Sequence, residues 1–192
     1  FRAKSLRNAE AKRAIGRLAA ELVGDGEQIF LDSGTTCFQM GLCLKGRRGL
    51  SIIANSARLA LELDTPGINV IILGGQYRPD RMDTVGPMAT NSLDLLRGYV
   101  AFVSADGLSM DFGPSASDID SAHLFGLAIR HARKAVLLVD HSKFLSPSLF
   151  KITDFDSIAQ VVTDKPPAAE WMEFLEAKGI GVLWPPEAQG PP

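Results

Sequence analysis

The segment Asp32-Ser33-Gly34-Thr35-Thr36 places a carboxylate, three hydroxyls and a glycine in consecutive positions. It follows the short apolar run Gln28-Ile29-Phe30-Leu31 and leads directly into a stretch with helical spacing. Such a turn has the parts of an anion pocket. Glycine admits close backbone approach, and the free N–H groups of a helix N-terminus favour negative charge. Phosphate is the anion that best satisfies several donors at once. The same residue types also make a helix cap, with Ser33 or Thr35 satisfying orphan amides. Both readings stand at this point. The segment is not a Walker loop, because GxxxxGK[ST] is absent.

Other apolar runs end in similar turns. Ala54 is followed by Asn55-Ser56, Leu73 by Gly74-Gly75, Val103 by Ser104-Ala105-Asp106-Gly107, and Val139 by Asp140-His141-Ser142-Lys143-Phe144. Each alone is an ordinary polar loop, but in an open α/β sheet ligands bind beyond the carboxyl ends of the strands. Gathered at one such rim, Lys143 would add a point charge to a bound phosphate. Asp106 and Asp140 would accept from sugar hydroxyls. The ligand implied is small, polyhydroxylated and phosphorylated.

Other side chains offer less. His123, His131 and His141 match no metal or triad spacing, and neither GxSxG nor HExxH occurs, so no metal or cofactor is expected. His131, beside Arg130 and Arg133, reads as a solvated helix face. Trp171, Phe174 and Leu175 read as a core stripe, and Lys45-Gly46-Arg47-Arg48 as a solvated basic turn.

The elements that must position these turns alternate. Apolar residues from Ala11 to Leu22 recur at helical spacing and stop at Gly24-Asp25-Gly26. Strands are expected at 28–31, 50–54, 69–73, 99–104, 135–139, 158–162 and 181–184. Helices are expected at 35–44, 57–63, 88–96, 122–133 and 168–177. The strand runs are apolar throughout, which implies cover on both faces. Alternation with helices then gives a mostly parallel sheet in a three-layer α/β/α sandwich. Residues 74–83 read as a loop or small ribbon over one end.

The chain's 192 residues suit one domain with a real core. Twenty basic against 22 acidic residues give a net charge of −2, which argues against unaided nucleic-acid binding. No apolar run approaches the ~18 residues of a membrane helix. Cys37 and Cys43, six positions apart on one expected helix, point roughly 240° apart and do not bridge while it holds. A reducing, cytoplasmic setting follows as the default.

The order of these motifs resembles the effector-sensing domain of DeoR-type transcriptional repressors. The matching residues are Ala11-Lys12-Arg13-Ala14-Ile15, Ile29 through Thr36, Asn55-Ser56, and Leu73-Gly74-Gly75-Gln76-Tyr77-Arg78-Pro79. Val85-Gly86-Pro87, Ala105 through Ser109 and Asp140 through Phe144 follow in sequence. The resemblance spans roughly residues 10–165. It implies a Rossmann-like fold related to ribose-5-phosphate isomerase, glucosamine-6-phosphate deaminase and the CoA transferases. It further implies a sugar-phosphate effector, homo-oligomerisation, and DNA binding through an N-terminal winged helix-turn-helix. On that reading 1–10 is linker from a missing DNA-binding domain, 11–184 the sensing domain and 185–192 a disordered tail. Three departures from the family pattern stand near the expected pocket: Ser104 for a glycine, Ser121 for a glutamate and Phe125-Gly126 for Lys-Arg.

The expected ligand-binding set is therefore Asp32, Ser33, Gly34, Thr35, Thr36, Asn55, Ser56, Gly74, Gly75, Tyr77, Asp106, Gly107, Asp140 and Lys143, with no catalytic residue assigned. In a regulator, coupling to DNA binding would run through the Phe1–Val23 segment. An isomerase or deaminase acting on the same ligand class is the alternative, with Asp32, Asp106 or Asp140 as base. A ligand-free oligomerisation domain is a third, supported only by the apolar first helix.

Overall fold

The computed structural model describes residues 2–186. Its centre is a seven-stranded sheet in which every pairing is parallel. The strands are β1 (Gln28–Leu31), β2 (Leu50–Ala54), β3 (Ile68–Ile72), β6 (Val100–Ser104), β9 (Lys134–Leu138), β11 (Gln160–Val162) and β12 (Gly181–Leu183). Their order across the sheet is β12-β11-β9-β6-β1-β2-β3. From β1 the chain runs outward through β2 to β3, then returns to β6 and builds the other wing. The strand order therefore reverses between β1 and β6, and a crevice opens beyond the carboxyl ends of strands at such a point.

Side-chain alternation explains why the strands are apolar at every position. Phe30, Ala101 and Leu137 enter one core, while Ile29, Leu31, Phe102 and Leu138 enter the other. The first core is closed by α5 (Pro87–Asp94), α6 (Ile119–His131) and α7 (Ala169–Ala177). The second is closed by α2 (Ala9–Glu21), α3 (Thr35–Cys43) and α4 (Ala57–Glu62). Each fully buried Leu, Ile or Phe contributes about 1.5–3 kcal/mol relative to exposure. These two apolar layers hold the sandwich. The apolar stripe of α2 is spent here, since Ile15 and Ala19 are fully buried against α3 and the sheet. It therefore offers no free face of the kind the oligomerisation reading needed.

Cover on both faces fails at β3. As an edge strand it leaves Ile71 38% and Ile72 46% exposed. His131 also departs from the expected solvated face. Its side chain is only 12% exposed and packs beside Asp94 and Arg97 at the end of α5. Trp171 behaves as expected, buried in edge-to-face contact with Phe144, Phe155 and Phe174.

Three smaller elements frame the crevice. Residues 74–85 form a ribbon of β4 (Gln76–Arg78) and β5 (Asp83–Val85). Its stitching runs through Asn55, whose Nδ2 donates to Thr84 O at 3.0 Å, and Thr84, whose hydroxyl donates to Leu73 O at 2.6 Å. A second, antiparallel sheet joins β7 (Gly107–Ser109), β8 (Gly113–Ala116) and β10 (Phe150–Lys151). Finally, a short helix α1 (Arg2–Leu6) precedes α2. Of the tail expected over 185–192, residues 187–192 lie outside the described residues, as does Phe1 of the expected linker.

Candidate functional site

The carboxyl ends of β1 and β6 are fastened to each other by Asp32. This side chain is fully buried, and its carboxylate accepts from Gly34 N–H at 2.8 Å, Ser104 N–H at 2.5 Å and Ser104 Oγ at 2.8 Å. Burial pushes its pKa up, partly offset by hydrogen bonds from Cys37, Ser104 and Gly34. Asp32 thus shapes the turn from below and does not face the crevice. Gly34 is required by this closeness, because a Cβ there would stand 2.0 Å from Ser104 Oγ.

With Asp32 holding the turn, α3 begins at Thr35 with Gly34 as its N-cap and no capping side chain. Of the two readings of this turn, the cap is not the one formed. Its first amides are left to face a small pocket of about 120 Å³ lined by Lys4, Arg7, Lys12, Thr35, Thr36, Asp106, Asp140 and Lys143, among others. Four cations surround this helix N-terminus. Lys12 is 4% exposed. Its ammonium donates to the carbonyls of Lys4 and Arg7 at the end of α1. Burial lowers its pKa, Asp140 opposes that, and Lys143, Arg7 and Lys4 lower it further. The Lys143 ammonium makes no hydrogen bond or salt bridge among the described residues, its backbone N–H alone donating to Asp140 O at 2.9 Å. Asp140 is held below the usual carboxylate range: burial alone would raise it, but hydrogen bonds from Ser142 and Asn8 and the Lys143 charge outweigh that.

The same loops open on the other side into a larger cleft of about 280 Å³. Its walls carry Ser33, Asp80, Arg81, Asp83, Ser104, Asp106, Asp118, Ser121 and Phe125. Here Asp83 and Asp118 are paired with arginines. Arg78 binds Asp83 through two bonds of 2.7 and 2.8 Å and reaches Asp118 at 2.8 Å and Ser121 Oγ at 3.0 Å. Arg81 also contacts Asp118. Burial works against the Arg78 cation, yet its carboxylate partners drive the pKa above the ordinary value. Ser33 Oγ donates to Asp83 Oδ2 at 2.9 Å, which ties the β1 turn to the ribbon. Among the described residues no cluster of three or more His, Cys, Asp or Glu is placed to hold a metal ion.

The expected residues therefore divide. Ser33, Gly34, Thr35, Thr36, Asp106, Asp140 and Lys143 converge on the two adjoining pockets. Asn55 and Ser56 are buried behind them, Asn55 holding the ribbon and Ser56 capping α4 by accepting from Leu59 N–H at 3.2 Å. Gly74, Gly75 and Tyr77 lie along the ribbon and line neither pocket, Tyr77 being half exposed. Gly107 sits in β7 against the carbonyl of Ser146 and lines neither pocket. The reading from sequence missed Lys4, Arg7, Lys12, Arg81, Asp83 and Asp118. Arg78-Pro79-Asp80-Arg81-Met82-Asp83, with its alternating charges, was the available signal for the ribbon residues. The departures at Ser104, Ser121 and Phe125 all fall on the wall of the larger cleft.

A crevice at the reversal point of a parallel sheet, here floored by an uncapped helix N-terminus, is where open α/β domains take small ligands. Residues 7–165 match the family model described as the DeoR C terminal sensor domain, and the chain belongs to that family. It is 38% identical to the lactose phosphotransferase system repressor of Lactococcus lactis subsp. lactis, over 73% of this chain and 56% of that protein. It is 29% identical to the HTH-type transcriptional regulator GlpR of Haloferax volcanii, over 94% of this chain and 71% of that protein. In fold it is similar to ribose 5-phosphate isomerase A of Methanocaldococcus jannaschii, with a TM-score of 0.52 and 20% identity. That match covers 71% of this chain and 54% of the isomerase. The chain thus spans between about half and under three-quarters of the length of the proteins it matches. Its relatives are transcriptional regulators, which places this domain on the regulatory side. No helix among the described residues is long and apolar enough to cross a membrane.

Proposed function

We propose that this domain senses a phosphorylated sugar, and that its occupancy governs DNA binding by a winged helix-turn-helix N-terminal to it in a cytoplasmic homo-oligomer. The observation that carries this reading is the pairing of two unlike pockets. The smaller gathers Lys4, Arg7, Lys12 and Lys143 around the bare N-terminus of α3, suited to a dianion. The larger offers Asp106, Asp118 and Ser121 to hydroxyls. A sugar phosphate spanning both would leave each end with matched partners. The ligand need only favour one arrangement of the protein over another to shift DNA affinity.

The carboxylates support sensing over catalysis. Proton abstraction needs a carboxylate free to receive the proton. Asp32 is sealed by Ser104 and Gly34, Asp106 is engaged by Lys4, and Asp140 by Asn8 and Ser142. A thermal-shift panel of pentose, hexose and amino-sugar phosphates tests the reading, with the unphosphorylated sugars as controls. At least one phosphorylated member should raise the melting temperature by mass action, and Thr35→Ala or Lys143→Ala should reduce that rise. A flat response across the panel overturns the ligand class. Turnover of any member assigns the domain to the enzymes instead.

A further inference from the structure

One wall of the site comes from an unexpected element. Ala3 and Lys4 of α1 line the larger cleft, and Lys4 and Arg7 line the smaller pocket. A helix of five residues is too short to persist unaided, and its apolar residues Ala3 and Leu6 are exposed. Polar contacts hold it in place. Lys4 Nζ meets Asp106 Oδ1 at 2.6 Å. Lys12 donates to the carbonyls of Lys4 and Arg7. Asn8, which joins α1 to α2, donates to Asp140 Oδ1 at 2.9 Å and to Ser142 Oγ at 3.3 Å. Asn8 also holds a left-handed backbone (φ 53, ψ 40), a single-residue hinge of the kind asparagine tolerates.

The charges around this hinge do not balance. Four cations (Lys4, Arg7, Lys12, Lys143) share the small pocket with two carboxylates, Asp106 and Asp140. Both carboxylates already have partners, whereas the guanidinium of Arg7 and the ammonium of Lys143 have none among the described residues. Without an anion, Lys4 and Arg7 are repelled by Lys12 and Lys143. A dianion at the start of α3 reverses the sign of that interaction. The same arithmetic that weakens α1 when the pocket is empty would fasten it when the pocket is filled.

We infer that α1 is a ligand-gated clasp: Lys4 and Arg7 are binding residues, and an anion in the small pocket orders residues 2–8 across the cleft. This rests on the anion-sensing reading above and adds its regulation. A ligand that orders α1 fixes the direction in which the chain enters the domain, so occupancy is passed to the polypeptide N-terminal of the fold without moving the sheet.

Hydrogen exchange read by mass spectrometry tests the clasp, with inorganic phosphate as the probe and chloride at matched ionic strength as the control. Phosphate should slow exchange over residues 3–8 by roughly tenfold, alongside protection at the start of α3. In the Lys4→Ala/Arg7→Ala double variant, altered only at exposed positions, phosphate affinity should fall by roughly fivefold or more and protection of 3–8 should vanish. If phosphate protects α3 while exchange over 3–8 is unchanged or faster, the clasp is wrong and the pocket stands. If phosphate protects neither segment, the anion site fails and the clasp with it. A double variant that binds phosphate as tightly as the parent chain also overturns the assignment.

Discussion

Asp118→Asn isolates one charge in the larger cleft. Asp118 caps α6 by accepting from Ser121 N–H at 2.9 Å, and it also receives Arg78 at 2.8 Å and Arg81. Asparagine caps a helix as well as aspartate does, so the substitution keeps the cap and removes only the charge shared by two arginines. Burial disfavours the charged carboxylate, but the Ser121 amide and the Arg78 guanidinium outweigh it and bring the pKa from 3.8 down to about 2. At about 1.36 kcal/mol for each pH unit between folded and unfolded values, that difference stabilises the neutral-pH fold by roughly 2 kcal/mol. The side chain is 23% exposed, so screening trims this figure without removing it. For a domain of this size the loss corresponds to a melting temperature lower by about 4–8 °C. The sign with pH follows from the depressed value: the contribution is whole above pH ~5 and fades as pH falls toward 2, with about half remaining at pH 3. Urea denaturation of both proteins at pH 7 and pH 3 reads it directly. A variant as stable as the parent at pH 7, or a difference that does not shrink at pH 3, refutes the argument.

Gly34→Ala should cost about 1–3 kcal/mol by overpacking, because the new methyl displaces Ser104 Oγ from Asp32. Adding Ser104→Gly should return part of that stability in a denaturation series, and no recovery would deny the clash. Lys12→Met probes the buried ammonium. Because the folded pKa of Lys12 is lowered from 10.5, the unfolded chain binds more protons between the two values, so stability rises with pH across that window. Denaturation at pH 7 and pH 9.5 should show the parent gaining on the Lys12→Met variant at the higher pH.

The layered fold was legible because both faces of the sheet are covered by helices, which leaves continuous apolar runs such as Ile29-Phe30-Leu31 beside helical periodicity. That logic breaks where a strand lacks a neighbour, as at Ile71 and Ile72. The β7-β8-β10 sheet was not legible at all: Gly113-Pro114-Ser115-Ala116 contains a proline and a glycine, and Phe150-Lys151 is too short to show alternation. For the site, residue type located the rim but not the direction each side chain faces. Asp32 and Asp106 look alike in sequence, yet one is sealed beneath the turn and the other lines the opening. Lys12 sits at a polar position of an amphipathic helix and would be read as solvated. It is instead buried at the rim, with its ammonium donating to the carbonyls of Lys4 and Arg7.

The fastening of Asp32 to Ser104 also says when in the life of the chain a ligand can be recognised. These residues lie 72 positions apart and belong to opposite wings of the sheet. Neither wing lines the two pockets alone, so a nascent polypeptide that has completed β1 to β3 lacks the site proposed for the effector. On the proposed reading, recognition waits until β6 is laid against β1 and β9 has brought Asp140 and Lys143 to the same rim, after which a bound small molecule would favour the assembled sandwich over either half.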